Sequence, residues 1–198
     1  MAQEPERRPA AILFAELRNF TRLSEVLQPE TVLELVNEFF SLAARAIENN
    51  SGKVLSVHND GLVSAFVDGE PAQFNRAAIQ TAQVIQTEFA PVGERWQKEY
   101  GLPAAASSGV HTGETLFGYA GPEGQQQFVG FGDSVSIAER LVHRARPGEI
   151  VISLDVMKAL RAAVRTLGAK ELPPLELGGK RPPLPIYGMI LETRLDFT

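Results

Sequence analysis

Two acids and a helix start set the chemistry that this chain can hold. Glu16 ends an apolar run, Ala11-Ile12-Leu13-Phe14, and Leu17-Arg18-Asn19-Phe20-Thr21 then turns into a helix. A carboxylate at a strand end can bind a hard cation. The unpaired N–H groups of the helix start can bind phosphate oxygens. The same stretch, FAELRNFT, is also satisfied by a buried strand with one acid at its rim and Thr21 as an ordinary helix cap. The second acid, Asp60, sits in Asn59-Asp60-Gly61. Adjacent strands can bring it to Glu16, and two carboxylates beside a helix N-terminus suit one or two magnesium ions and a nucleoside triphosphate. Asn-Asp-Gly is equally a hairpin turn that needs no ligand, because these residues tolerate positive φ.

Those residues must be positioned by the elements around them. Continuous apolar character predicts a buried strand over Ala10–Leu17. From Thr21 a short helix presents Leu23, Val26 and Leu27. Pro29 opens a second helix at its first turn, with Val32, Leu33, Val36, Phe39, Phe40, Ala43 and Ile47 as its apolar stripe and Asn49-Asn50-Ser51-Gly52 as its stop. Strands Lys53–His58 and Leu62–Val67 flank the Asn-Asp-Gly turn. A long helix is expected from Pro71 to Tyr100, kinked or broken at Pro91. Strands Ala104–Thr112 and Thr115–Ala120 follow, then a polar tip and a strand Gln126–Phe131, together an extended hairpin arm. A helix Asp133–Arg144, a short strand Glu149–Ile152 and a helix capped by Ser153 and running to about Val164 come next. The tail reads as loop, with Leu184–Leu191 as a last strand. This order predicts an α/β sandwich: a mixed, mostly antiparallel sheet with helices packed on it.

The bulk numbers allow one domain of 198 residues. Hydrophobic residues make up 44% and charged residues 22%, which fits a packed core with a solvated surface. A net charge of −5 argues against non-specific nucleic-acid binding, since no basic excess exists to displace counterions. The absence of cysteine excludes disulfides and thiolate metal sites. No apolar run approaches the roughly 20 residues of a membrane span. MAQEPERRPA is polar and charged, and residues 1–9 are read as a flexible lead-in rather than a secretory signal. The domain is expected over residues 10–191, with 192–198 as a tail.

FAELRNFTRLSEVLQPETVLELVNEFF, NDGLVSAF, GVHTGETLFGYAG, FGDSVSIAERL, RPGEIVIS and the final LGGKRPPLPIYG stand in an order and spacing that resemble class III nucleotidyl cyclase domains. The resemblance implies a ferredoxin-like-related cyclase fold, a hairpin dimerisation arm and a head-to-tail dimer with sites at the interface. The signature of the related GGDEF diguanylate cyclases is absent from the hairpin. It implies a reaction in which the ribose 3′-hydroxyl of ATP or GTP attacks the α-phosphate and pyrophosphate leaves, aided by two Mg2+ or Mn2+ ions on two aspartates. Asp60 matches the second aspartate; Glu16 stands in place of the first. Glutamate is one methylene longer, and a displacement of about 1 Å can cost on the order of a hundredfold in rate.

By the same resemblance, Leu17, Arg18, Asn19, Phe20 and Thr21 form the phosphate loop. Arg140 matches the arginine that stabilises the transition state from the partner chain, with a fork suited to phosphate; otherwise it is a surface helix arginine. Ser136 replaces a ribose-orienting asparagine. Lys180 either contacts the triphosphate or is a solvated turn residue. Ser56 and Val129 replace a lysine and an aspartate or threonine that read the purine edge, and valine has no hydrogen-bonding group. His58, His111 and His143 read as strand or surface residues. Four of six key positions are thus changed. One reading is a degenerate cyclase-homology domain that dimerises or regulates, as a homodimer or paired with an active cyclase; the other is a working cyclase with an unusual pocket. A metal-dependent phosphotransferase is the remote third. The expected location is cytoplasmic.

Overall fold

The first strand is buried on both faces, and that decides the architecture. In β1 (Glu6–Arg18), Ala11, Leu13, Ala15 and Leu17 enter one apolar cluster, while Ala10, Ile12 and Phe14 enter another. A strand of period two can do this only with helices on both sides of its sheet. The computed structural model describes residues 4–161 and 164–190. After β1 come α1 (Phe20–Val26), α2 (Pro29–Asn49), β2 (Lys53–Val57), β3 (Gly61–Phe66) and α3 (Pro71–Tyr100). Then follow β4 (Ala105–Ala120), β5 (Gln127–Phe131), α4 (Asp133–Arg144), β6 (Glu149–Ser153) and α5 (Leu154–Leu160). A 3-10 turn (Val164–Leu167), β7 (Lys170–Leu175) and β8 (Leu184–Ile190) complete the described chain.

The strands form one sheet in the order β2-β3-β1-β4-β6-β8-β7, with β5 paired to the outer half of β4. Among the described strands only β4 and β6 run parallel; the other pairs are antiparallel. α2, α3 and α5 cover one face, where Phe39, Phe89 and Trp96 stack edge to face. α4 covers part of the other through Ala138 and Val142. Its approach is set by Gly109 of β4, whose missing Cβ would stand 2.5 Å from the Ala138 carbonyl oxygen.

The expected sandwich is present, with several differences. Residues Glu6–Pro9, expected in a flexible lead-in, belong to β1 and pair with β4. The two strands expected around Gly113 are one, because Glu6–Arg18 pairs with β4 throughout and carries it past the glycine. α3 runs unbroken through Pro91, which is exposed, while Ile85, Phe89 and Trp96 hold the helix on either side. Leu33 lies outside the stripe of α2 at 62% exposure; Leu35, Leu42 and Ala46 are buried instead. α5 ends at Leu160, where Arg161 takes a left-handed cap. β7 was not expected. The end of the predicted last strand at Leu191, the tail 192–198 and the start of the lead-in lie outside the described residues.

His111 is buried in β4 and shares a 2.7 Å hydrogen bond with Ser153, the N-cap of α5. Burial pushes its imidazole below the ordinary histidine range, against the opposing pull of Asp155 and Asp133. A histidine buried neutral contributes stability above its unfolded value of about 6.5, and that stability is lost as pH falls through the folded value. Urea melts should therefore weaken as pH drops below about 6.5. His111→Gln, which cannot take up the proton, should show a flatter dependence over that range.

Candidate functional site

The parity of β1 carries Glu16 and Arg18 onto the face of Phe14, the face that α4 covers. Glu16 pairs in register with Gly61, and the Leu17 N–H donates to the Asp60 carbonyl at 2.7 Å. The first strand and the Asn-Asp-Gly turn are thus joined at the point where both acids stand. Glu16, Leu17, Arg18, Asn19, Phe20, Thr21, Arg22 and Asp60 line one open cleft of ≈ 470 Å³ together with Glu25 and Val26. A smaller cavity of ≈ 120 Å³ lies beside it, where Glu16 and Asp60 meet His58, Glu139 and His143.

The ligand-free alternative, with Thr21 as the helix cap, is not what the helix start shows. Asn19, not Thr21, is the N-cap of α1, in the left-handed region at φ 73, and no side chain caps the helix. Asparagine tolerates that conformation better than most residues. Its amide is fixed elsewhere, donating to the Pro103 carbonyl at 2.7 Å.

Glu16 is already engaged. Arg18 Nη1 donates to Glu16 Oε1 at 3.1 Å, and His143 Nε2 lies 3.7 Å from Glu16 Oε2. Both side chains of the Glu16–Arg18 pair are shielded, at 16% and 19% exposure, so this is not a screened surface contact. Arg18 Nη2 also donates to the Ala145 carbonyl at 2.8 Å and to the Val142 carbonyl, the last turn and C-cap of α4. Cations are favoured there, where helix carbonyls lack partners. Burial pushes the Glu16 carboxyl above the ordinary glutamate range; Arg18 opposes this, Asp60 adds to it, and His143 opposes it again.

The other predicted residues lie apart from this cleft. Arg140 is half-buried, and its Nη2 donates to the Glu176 carbonyl. Ser136 is exposed one turn earlier on α4, and Lys180 is exposed in the turn between β7 and β8, next to an Arg181–Asp133 ion pair. Ser56, on β2, shares a 3.2 Å hydrogen bond with His58, which stacks on Phe14. Val129, on β5, is half-buried and paired with Gly118. Neither cavity at Glu16 is lined by any of these five residues. A third groove, of ≈ 260 Å³, runs between Arg8, Lys53, Phe117 and Phe128 and contains no predicted site residue.

A family model for the adenylate and guanylate cyclase catalytic domain matches residues 2–186. This chain belongs to that family. Among its relatives, Adenylate cyclase 1 of Rhizobium meliloti is 28% identical over 138 residues, 68% of this chain and 20% of that protein. The adenylate cyclase of Anabaena cylindrica is 26% identical over 135 residues, 68% of this chain and 27% of that protein. The cyclase domain therefore spans less than a third of either relative's length. The crystal structure of the adenylyl cyclase CyaB from P. aeruginosa superposes with a TM-score of 0.86 at 21% identity, covering 99% of this chain and 100% of that one. That of the guanylyl cyclase Cya2 gives 0.79 at 27% identity, covering 95% and 93%. Among the described residues of the cyclase domain, no helix is long and apolar enough to cross a membrane.

The histidine beside Glu16 was not foreseen as part of the site. Its signal was present in the spacing: Glu139 and His143 are one helical turn apart and share a face. That this face meets Glu16 depends on how closely α4 sits on β4.

The acid pair does not fit a divalent cation as it stands. A hard cation needs several free oxygens. One Glu16 oxygen accepts from a guanidinium and the other faces an imidazole. Among the described residues, no three acids or histidines stand close enough to share an ion.

Proposed function

We propose that this cyclase domain has weak or no nucleotide-cyclising activity and serves as a dimerising or regulatory module in intracellular cyclic-nucleotide signalling. The observation that carries this reading is the engagement of Glu16 by Arg18. A carboxylate held by a guanidinium is a poor ligand for Mg2+ or Mn2+, and without the metal the 3′-hydroxyl attack loses its activation and its charge neutralisation. The absence of a polar group at Val129 supports the same reading, because a pocket without hydrogen-bonding readers discriminates poorly between adenine and guanine. Arg140 and Ser136 lie outside their own chain's cleft, which suits a contribution to the site of a second subunit, either a copy of this chain or an active cyclase.

The alternative, an active adenylate or guanylate cyclase, is favoured by one feature: Glu16 and Asp60 converge on the same open cleft beside the phosphate loop. Incubation of the purified chain with ATP or GTP and Mn2+, followed by measurement of cyclic nucleotide, separates the two. Little or no product is expected. Product that disappears in Arg140→Ala would establish the active reading instead.

A further inference from the structure

The Glu16–Arg18 contact has a geometry that a simple surface pair lacks. The two residues are neighbours on one strand face, and the guanidinium continues past the carboxylate to the carbonyls that end α4. Arg18 Nε is buried without a hydrogen-bond partner. The guanidinium is therefore held by the acid on one side and the helix end on the other, with its Nε closed off from solvent. Two mutually repelling acids, Glu16 and Asp60, share the cleft. A nearby cation offsets that repulsion, and Arg18 is the one in hydrogen-bond contact with Glu16, whereas His143 stands 3.7 Å away and Arg22 lines the same cleft.

We propose that Glu16 and Arg18 form an internal latch: the guanidinium joins the cleft's first acid to the end of α4, and the cleft takes a divalent cation only when that pair is broken. The length of Glu16 makes the latch. Its carboxylate reaches the neighbouring guanidinium, and a side chain one methylene shorter is drawn back from Arg18 and left to face Asp60. The fork of Arg18 holds the carboxylate oxygen through one terminal nitrogen and the two carbonyls through the other, a span that the single nitrogen of an ammonium does not have. The latch thus assigns to two side chains of this chain the weak metal affinity on which the proposed function rests.

The test is Mn2+ binding without nucleotide, read from the loss of the free-ion paramagnetic resonance signal on titration. Wild type is compared with Glu16→Asp, which shortens the acid, and Arg18→Met, which keeps the apolar stem and removes the charge. Far-UV circular dichroism checks that each is folded. Both variants should bind Mn2+ at least tenfold more tightly than wild type, and adding Asp60→Asn should abolish the gain. Folded variants that gain nothing overturn the latch. Saturable, Asp60-dependent binding by wild type as tight as by Glu16→Asp overturns it as well. If Arg18→Met fails to fold, wild type and Glu16→Asp alone decide. Cyclic nucleotide from wild type would overturn the proposed function; equal Mn2+ affinities would overturn the latch alone.

Discussion

Gly109→Ala should lower stability by about 3 kcal/mol, the upper part of the usual range for overpacking. A Cβ there would meet the Val142 N and, at 2.5 Å, the Ala138 carbonyl oxygen. Both are backbone atoms of α4, so no side chain can rotate away, and the helix must move by roughly 1 Å to restore ordinary contact. In a chain of this size that corresponds to a fall in Tm of about 6–12 °C. Gly109→Val should not yield a folded protein. The functional effect should be separable from the loss of stability. α4 carries Glu139 and His143 toward Glu16 and Arg140 along its flank, so a shift of this helix moves both sets at once. Any nucleotide-dependent change in melting temperature should disappear in Gly109→Ala at temperatures where it is still folded. An alanine variant as stable as wild type would mean that α4 does not seat on β4 in this way.

The same helix separates what the sequence could show from what it could not. The apolar run of β1, the stripe of α2 and the Asn-Asp-Gly turn are local patterns, and they predicted their elements to within a few residues. β7 escaped because Pro173-Pro174 reads as loop. The sheet tolerates both prolines only because β7 is an edge strand whose register slips between Leu172 and Leu175. Pro91 had the opposite fate: a local breaker was overridden by long-range packing of Phe89 and Trp96.

For the site, the position of Glu16 at the strand end and of Asp60 in the turn was readable, and the register of β1 with β3 brings them together. What those acids touch was not readable. Arg18 was visible only as part of a phosphate loop. That it reaches Val142 and Ala145 depends on contacts 124 and 127 residues away in sequence. No periodicity reports such a contact. His143 illustrates the same limit, since a helix pattern gives its face but not the strand that the face meets.

A second large effect is expected at Glu149, a carboxylate only 2% exposed at the start of β6. It accepts from the Arg146 backbone N–H at 2.8 Å, from Nε at 3.2 Å and from Nη2 at 3.0 Å. The opposite wall is the Cα of Gly188, where no side chain could fit because it would strike Glu149 Oε1. Glu149→Ala removes every one of these bonds and leaves a hole between β6 and β8. It should cost about 3–5 kcal/mol, from the cavity and the loss of three hydrogen bonds to a charged group together. Arg146→Ala should cost less, about 1.5–3 kcal/mol. Its guanidinium is 63% exposed, water can replace part of it, and the backbone N–H bond to the carboxylate survives. The order of the two variants in urea melts is the check. A larger loss from Arg146→Ala than from Glu149→Ala would mean that the arginine acts elsewhere. This staple closes the turn between α4 and β6 directly after Ala145, where Arg18 is anchored. Weakening it should therefore loosen the end of α4 and raise Mn2+ affinity in Arg146→Ala, in the same direction as Arg18→Met and by a smaller factor.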